Sequence, residues 1–197
     1  MKRFILRRTL KPLGFNLDYY SPRPMIRFLK ASRKKDLVGA EIGVRDGWNA
    51  LDILENLSIK KLYLIDPYMA YADYKESQDM HNYQKWIDEK KKVAKKALRK
   101  YKNKIVWIND FSDKAISRIK EDLDFVYIDG NHQYGFVKKD IELYYPKVKK
   151  GGIIGGDDYY LCDESKASNF GVVEAVNKFF KIKNIHFMHI DWWFIKK

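Results

Sequence analysis

Two apolar runs that each end in acid constrain this chain more than any other feature. LDFVYIDGNHQY begins at Leu123 and meets its first rim acid at Asp129, and KKGGIIGGDDYY ends its run at Asp157 and Asp158. Between them Tyr134, Val137, Ile141, Tyr144 and Val148 recur at helical spacing, with Pro146 and Gly151-Gly152 punctuating the exit. The pattern predicts strand, helix, strand. The strands of such a unit run parallel, so Asp129, Asp157 and Asp158 fall at strand C-terminal ends on one rim of a sheet, where open α/β sheets bind ligands. Three carboxylates gathered there repel one another, so something positive is expected to hold them.

The 197 residues suffice for one domain with a substantial core. One cysteine, Cys162, excludes an internal disulfide framework and fits a reducing compartment. No apolar run approaches the roughly 18 residues of a spanning helix, and Arg7, Arg8 and Lys11 break the N-terminus before a signal-peptide core forms. The expectation is a soluble cytoplasmic protein. Its charge of +13 is unevenly placed, because residues 1–35 hold eleven Lys or Arg against one acid, Asp18. Residues 1–35 therefore read as a basic arm with a helix, and 36–197 as the domain proper. The arm packs on the domain through Phe4, Ile5, Leu6 and Leu10, or docks peripherally on an anionic membrane or glycolipid, or binds nucleic acid. Zinc-knuckle and RNP-like patterns are missing, which counts against the last.

In chain order, a helix is expected from Pro24, with Met25, Phe28 and Leu29 inward. LVGAEIGVRDGWNALDILENL then reads as a strand through Ile42, a turn bracketed by Gly43 and Gly47, and a helix from Trp48. Strand, glycine turn and helix bring backbone N–H groups and a helix N-terminus close to a ligand. Glu41 precedes the turn, and the second strand, KKLYLID, ends in Asp66, well placed for ribose hydroxyls or for an ordinary cap before Pro67. Residues 68–104 form an insertion: a flap with Tyr68, Met69, Tyr71 and Tyr74, then one long helix over 81–104 in which nine of residues 90–104 are basic. That face is solvated, or binds a polyanion. IVWIND ends in Asp110, near Ser112, at another strand end. The helix GVVEAVNKFF and an antiparallel hairpin around Asp191 close the chain. Alternating β and α with a terminal hairpin is a doubly wound, Rossmann-like, mostly parallel sheet.

AEIGVRDGWNALDIL, YLIDPY, DFVYIDGNHQY and KKGGIIGGDDY, in this order, resemble the class I S-adenosylmethionine-dependent methyltransferases, and in particular the small-domain group with the motif D-G-x-H-x-Y. The resemblance covers about residues 36–195. It implies that Glu41, Gly43, Val44 and Gly47 meet the methionine part of the cofactor, that Asp66 takes the ribose hydroxyls, and that Asp110 and Ser112 lie against adenine, with Asp129 also at the cofactor. Gly43 and Gly47 stand where many members have three glycines. Asp129 followed 28 residues later by Asp157-Asp158 is similar to metal-dependent O-methyltransferases of catechols, sugars and macrolides. This similarity implies Mg2+ or another divalent ion on Asp129, Asp157 and Asp158, a hard cation on oxygen ligands. His132 stands where catechol-type relatives carry a lysine base, which makes it the candidate general base beside Asp129.

Three function classes follow. The first is an O-methyltransferase acting on a small molecule or glycan, which the rim acids favour. The second is an RNA methyltransferase, which the charge favours although no N-P-P-Y type loop follows the fourth strand. The third is a non-catalytic nucleoside-binding module, against which the intact rim residues count.

Overall fold

A computed structural model describes residues 22–71, 80–159, 171–180 and 184–197. The arm residues 1–21, most of the flap and most of the 159–170 loop lie outside this set, as does Cys162. The described elements are α1 (Pro24–Ala31), β1 (Leu37–Ile42), α2 (Trp48–Asn56), β2 (Ile59–Ile65), α3 (Met80–Ala97), β3 (Ile105–Ile108), α4 (Ser112–Ala115), β4 (Leu123–Ile128), α5 (Tyr134–Tyr144), β5 (Val148–Gly156), α6 (Val172–Phe179), β6 (His186–Met188) and β7 (Asp191–Ile195).

The strands form a seven-stranded sheet in the order β3-β2-β1-β4-β5-β7-β6. β1 to β5 pair in parallel, and β7 runs antiparallel between β5 and β6. The doubly wound expectation therefore holds, including the closing hairpin. Strand order reverses between β1 and β4, which opens a crevice at their C-terminal ends. Both faces are covered, so β1 reads as an unbroken buried run rather than an alternating one.

Two apolar layers sandwich the sheet. One contains Ile42, Ile128, Val137, Ile141, Tyr144, Val172, Val176 and Trp192, and the other Met25, Ile26, Leu29, Ile53, Leu64, Phe125 and Trp193. α1 therefore lies outside the basic arm in its packing: Met25, Ile26 and Leu29 are core residues, while Phe28, expected inward, is half exposed against the Trp193 ring at 5.3 Å. Burying each of those three side chains stabilises the fold by about 1.5–3 kcal/mol, and Ile26→Ala would cost about 2–5 kcal/mol.

α3 ends at Ala97 and tightens into a 3-10 turn over Arg99–Tyr101, short of the single helix expected through 104. Its inner face carries Ile87 and Ala94, with Leu98 just beyond its end also buried, whereas Trp86 and Val93 face out. β5 begins at Val148, five residues before the apolar run: Val148 pairs with Leu123, the strand bulges over residues 149–152, and pairing with β4 resumes at Ile153 opposite Phe125. α4 is a single turn continued by a 3-10 turn over Ile116–Arg118.

Candidate active site

Gly43 begins the site. Its φ of +83° and the carbonyl of Asp129, which a Cβ would meet at 1.9 Å, allow only glycine there. The residue lets the ends of β1 and β4 close on each other, an interaction completed by the Asp129 N–H donating to Ile42 O at 2.7 Å. The glycine thus serves the crevice wall directly. Gly47, also left-handed, packs on Ala94 of α3 and on Leu98 just after it, and does not line the cavity.

The crevice is a cavity of about 560 Å3, within the usual size for a small-molecule site. Glu41, Gly43, Val44, Asp66, Ser112, Asp129 and His132 line it together, joined by Arg23, Asn49, Tyr71, Phe111, Phe136 and Asp140. Asp110 does not line it: its Oδ1 accepts the Phe111 N–H at 2.9 Å and caps its own loop.

Asp66 holds the glycine loop. Its Oδ2 accepts from the N–H groups of Val44 and Arg45, both at 2.9 Å, and its Oδ1 from Tyr68 N–H at 2.8 Å. A carboxylate offers about four acceptor sites, so one remains toward the cavity. Glu41 is fully buried. Its Oε1 accepts from Asn49 Nδ2 at 3.2 Å, and its Oε2 has no hydrogen-bond partner among the described residues. Burial, then the charge of Asp129, raises its pKa well above the carboxylate range, against the pull of Asn49 and Arg23. Such an oxygen in a cavity wall fits a ligand that brings a hydrogen-bond donor or a positive charge.

The rim acids are held by a residue the pattern did not reveal. Arg23, the residue before α1, places Nη1 3.0 Å from Asp157 Oδ2 and 3.5 Å from Asp191 Oδ1, and Nη2 4.0 Å from Asp129 Oδ2. It also donates to the Tyr127 hydroxyl, which in turn donates to Asp191 Oδ1 at 3.0 Å. Burial works against the guanidinium charge, but Tyr127, Asp157, Asp129 and Asp191 outweigh it and hold Arg23 protonated. The backbone N–H of Met25 donates to the other oxygen of Asp191, which is completely buried.

His132 faces the same acids from the cavity side. Its Nδ1 lies 2.8 Å from Asp158 Oδ2, and its Nε2 lies 3.5 Å from Asp129 Oδ1 and 3.6 Å from Asp157 Oδ1. Burial opposes its charge, yet the bonds to Asp129 and Asp158 and the charge of Asp157 push its pKa up to about 10. Four carboxylates against one guanidinium and one imidazole leave the cluster short of positive charge. Asp157, buried beside Asp129, is accordingly pushed well above its usual range even as Arg23 and His132 pull it down.

One donor atom each from Asp129, His132 and Asp157 lies within 4.8 Å of the others. Asp157 Oδ1 is buried without a hydrogen-bond partner among the described residues. Two carboxylate oxygens and an imidazole nitrogen fit a divalent ion. This set differs from the expected trio of Asp129, Asp157 and Asp158, because Asp158 turns to His132 Nδ1. A carboxylate on the far nitrogen of a ligating histidine is a recurrent way of fixing that ring.

Arg23, Asp191, Asn49 and Asp140 were missed by sequence reasoning. Two signals were present. An arginine at a helix N-terminus opposes the helix dipole and so needs acids nearby, and Asp191 opens the apolar strand DWWFI.

Residues 40–159 match the family described as "Methyltransferase domain". A viral relative, the uncharacterized protein R132 of Acanthamoeba polyphaga mimivirus, is 35% identical over 150 residues, covering 74% of this chain and 60% of its own length. The chain therefore spans less than two thirds of that relative. Among solved structures, an O-methyltransferase from Bacillus cereus complexed with SAH superposes with a TM-score of 0.60 at 13% identity, over 96% of this chain and 88% of that one. The O-methyltransferase NovP gives 0.56 at 17% identity over 88% and 78%, and an rRNA methylase from Streptococcus thermophilus 0.57 at 11% over 88% and 93%. The fold is common to all three. With the matched segment running from inside β1 to the residue after Asp158, the chain belongs to the methyltransferase domain family.

Proposed function

We propose that the protein is an S-adenosylmethionine-dependent methyltransferase that acts on a hydroxyl oxygen of a small molecule or glycan, with a divalent ion on Asp129, His132 and Asp157. The observation that carries the reading is the single cavity joining a ligand-seeking Glu41 to the acid–imidazole cluster. When bound, the sulfonium cofactor supplies an activated methyl group and the divalent ion lowers the pKa of an acceptor hydroxyl. Glu41 Oε2 accepts the ammonium of the methionine part, and the remaining site of Asp66 takes a ribose hydroxyl. Asp158 holds His132 by Nδ1 and leaves Nε2 toward the ion. In this reading His132 is a ligand and not the general base, since Nε2, the nitrogen that would have to accept a proton, faces Asp129 and Asp157 and would be taken by the ion. Arg23 neutralises the acids from behind and fixes their orientation.

A nucleic-acid acceptor is the second reading, favoured by the cations that α3 sets on aromatic faces, of which Trp86, Lys90 and Tyr68 line the cavity. Lys90 lies 5.3 Å from the Trp86 ring centroid, Lys91 5.1 Å from Tyr68 and Lys95 3.8 Å from Trp107. Stacking surfaces with positive charge suit single-stranded RNA. Membrane contact through the arm rests on residues 1–21 and remains a proposal from composition. No helix among the described residues is long and apolar enough to cross a membrane.

Calorimetric titration of S-adenosylhomocysteine, with and without Mg2+ or Mn2+, tests the proposal. Binding in the micromolar range, weakened tenfold or more in Glu41→Gln, is expected, with Mn2+ bound by the wild type and lost in Asp157→Asn. Absence of nucleoside binding in every buffer sinks the cofactor reading, and absence of Mn2+ binding sinks the metal. An acceptor screen of hydroxylated sugars and phenols against RNA then separates the two acceptor classes, since methylation of RNA should fall steeply with salt.

A further inference from the structure

The sheet has two edges, and they are protected differently. β3 has Lys104 immediately before it, and Lys95 of α3 lies 3.8 Å from the Trp107 ring centroid. Lysines beside an edge strand keep a second strand from pairing with it. β6, at the other edge, is flanked by Ile185 and His189, and among the described residues it pairs only with β7. Its side chains are open to water, Phe187 being 48% exposed and Met188 49%. Around them the rings continue onto both faces. On the α1 face His186 stacks on Trp193 at 5.7 Å, Phe28 lies 5.9 Å from His186, and Arg27 Nη2 reaches Met188 Sδ at 3.7 Å. On the opposite face Phe187 lies 5.8 Å from Tyr159.

Charge and symmetry decide what such an edge takes. The chain carries +13 and a third of its residues are charged, so an anionic partner is drawn to the lysines of α3 rather than here. Residues 184–195 hold one formally charged side chain, Asp191, and it is completely buried. Two copies of so basic a chain repel least where that charge is lacking. The strand is also complementary to itself. Antiparallel pairing about a two-fold axis at Phe187 sets Phe187 opposite the partner's Phe187 and Met188 opposite the partner's His186, with opposed side chains on one face. Arg27, lying on Met188, then comes beside the partner's His186 and Trp193 rings, a favourable place for a guanidinium. We propose that the protein associates with a second copy of itself through β6, which joins two seven-stranded sheets edge to edge. The contact braces the hairpin that carries Asp191, the acid paired with Met188 across the hairpin and held by Arg23.

Sedimentation velocity tests the proposal, with folding followed by thermal melting. A strand pair with its flanking rings is a small interface, so the wild type should pass from the 23.5 kDa chain to twice that mass as its concentration rises from about 1 to about 100 µM. Phe187→Lys sets a cation against its own copy at the axis and should stay monomeric throughout. Val106→Lys, at an exposed apolar position on β3, should dimerise as the wild type does. Opposed Cα atoms of an antiparallel pair lie about 4.5–5.5 Å apart, within disulfide range. Phe187→Cys, combined with Cys162→Ser to remove the chain's own thiol, should therefore form a disulfide-linked dimer on oxidation. A wild type that is monomeric over the whole range overturns the proposal, and so does a dimer that persists in folded Phe187→Lys. The cross-link decides the matter if Phe187→Lys fails to fold, because its absence in a dimeric protein puts the interface elsewhere and overturns pairing through β6.

Discussion

On the β2 side of the rim, Asp66 is satisfied by three backbone amides, none more than 22 positions away in sequence. On the β5 side, Asp157 and Asp191 are held by Arg23, 134 and 168 positions distant, and Tyr127 adds a bond across 64. The contrast is one of physics as well as distance. Backbone dipoles solvate a carboxylate without introducing a charge, so Asp66 stays ready for a neutral hydroxyl. A guanidinium and an imidazole create instead a field of fixed charges, suited to binding an ion or a developing anion. One half of the rim is built for shape and hydrogen bonding, the other for charge.

Removing Arg23 should break this contrast most severely. Arg23→Met leaves Asp129, Asp157 and Asp191 facing one another at low exposure, and losing one partner of a buried ion pair costs about 3–5 kcal/mol. At about 2–4 °C per kcal/mol for a chain of this size, thermal melting should fall by roughly 6–20 °C. Adding Asp191→Asn should restore part of the loss by removing one stranded charge. A change below about 1 kcal/mol would mean that the acids do not depend on Arg23.

His132 offers a second way into the charged half, through pH. Its folded pKa is raised from 6.5 to about 10, first against burial and then by Asp129 and Asp158. The raised value means that the charged ring stabilises the fold fully below about pH 6.5, and that this contribution is lost as pH rises through about 10. In chelator, the stability difference between wild type and His132→Asn should therefore shrink over that window. A difference independent of pH would show that the ring is not an imidazolium partner of the acids.

The locally satisfied half was the more legible one. Glu41, Gly43 and Asp66 could be read because β1, the turn and β2 are contiguous, and the hydrophobic pattern fixes where each strand ends. The rim position of Asp129, Asp157 and Asp158 could be read for the same reason, as could the need for a cation. Which cation could not. Arg23 meets the acids only because α1 packs against β7, the strand that inserts antiparallel beside β5, and strand order is not written in local periodicity. Asp140 was hidden differently: on α5 it looks like one more polar position between Val137 and Ile141, and only the closeness of the β3 and β4 loops turns it inward.

Asp66→Ala tests the local half with a smaller effect. Three N–H groups lose their acceptor, in a loop that is partly open to water, so a cost of about 1–3 kcal/mol is expected. On the proposed reading, in which the same carboxylate also takes a ribose hydroxyl, affinity for S-adenosylhomocysteine should fall as well. Loss of affinity with unchanged melting would assign Asp66 to the ligand alone, whereas loss of both fits the shared role.

The smallest effect is expected at Asp110, and it sharpens the comparison because the pattern ranks it beside Asp66. Both acids end a strand on the same half of the sheet, yet Asp66 reaches back to the neighbouring turn while Asp110, among the described residues, bonds forward to the N–H of Phe111. A carboxylate spent on its own loop behaves as a cap, so Asp110→Ala should cost about 0.5–2 kcal/mol. Calorimetry should find its affinity for S-adenosylhomocysteine within about twofold of wild type, close to the error of additivity for groups outside a site. A tenfold loss would return the adenine edge to Asp110. The two acids are alike in residue type and lie at the same end of the sheet. Which of them matters to a ligand is decided by the direction in which each carboxylate finds its nearest donor.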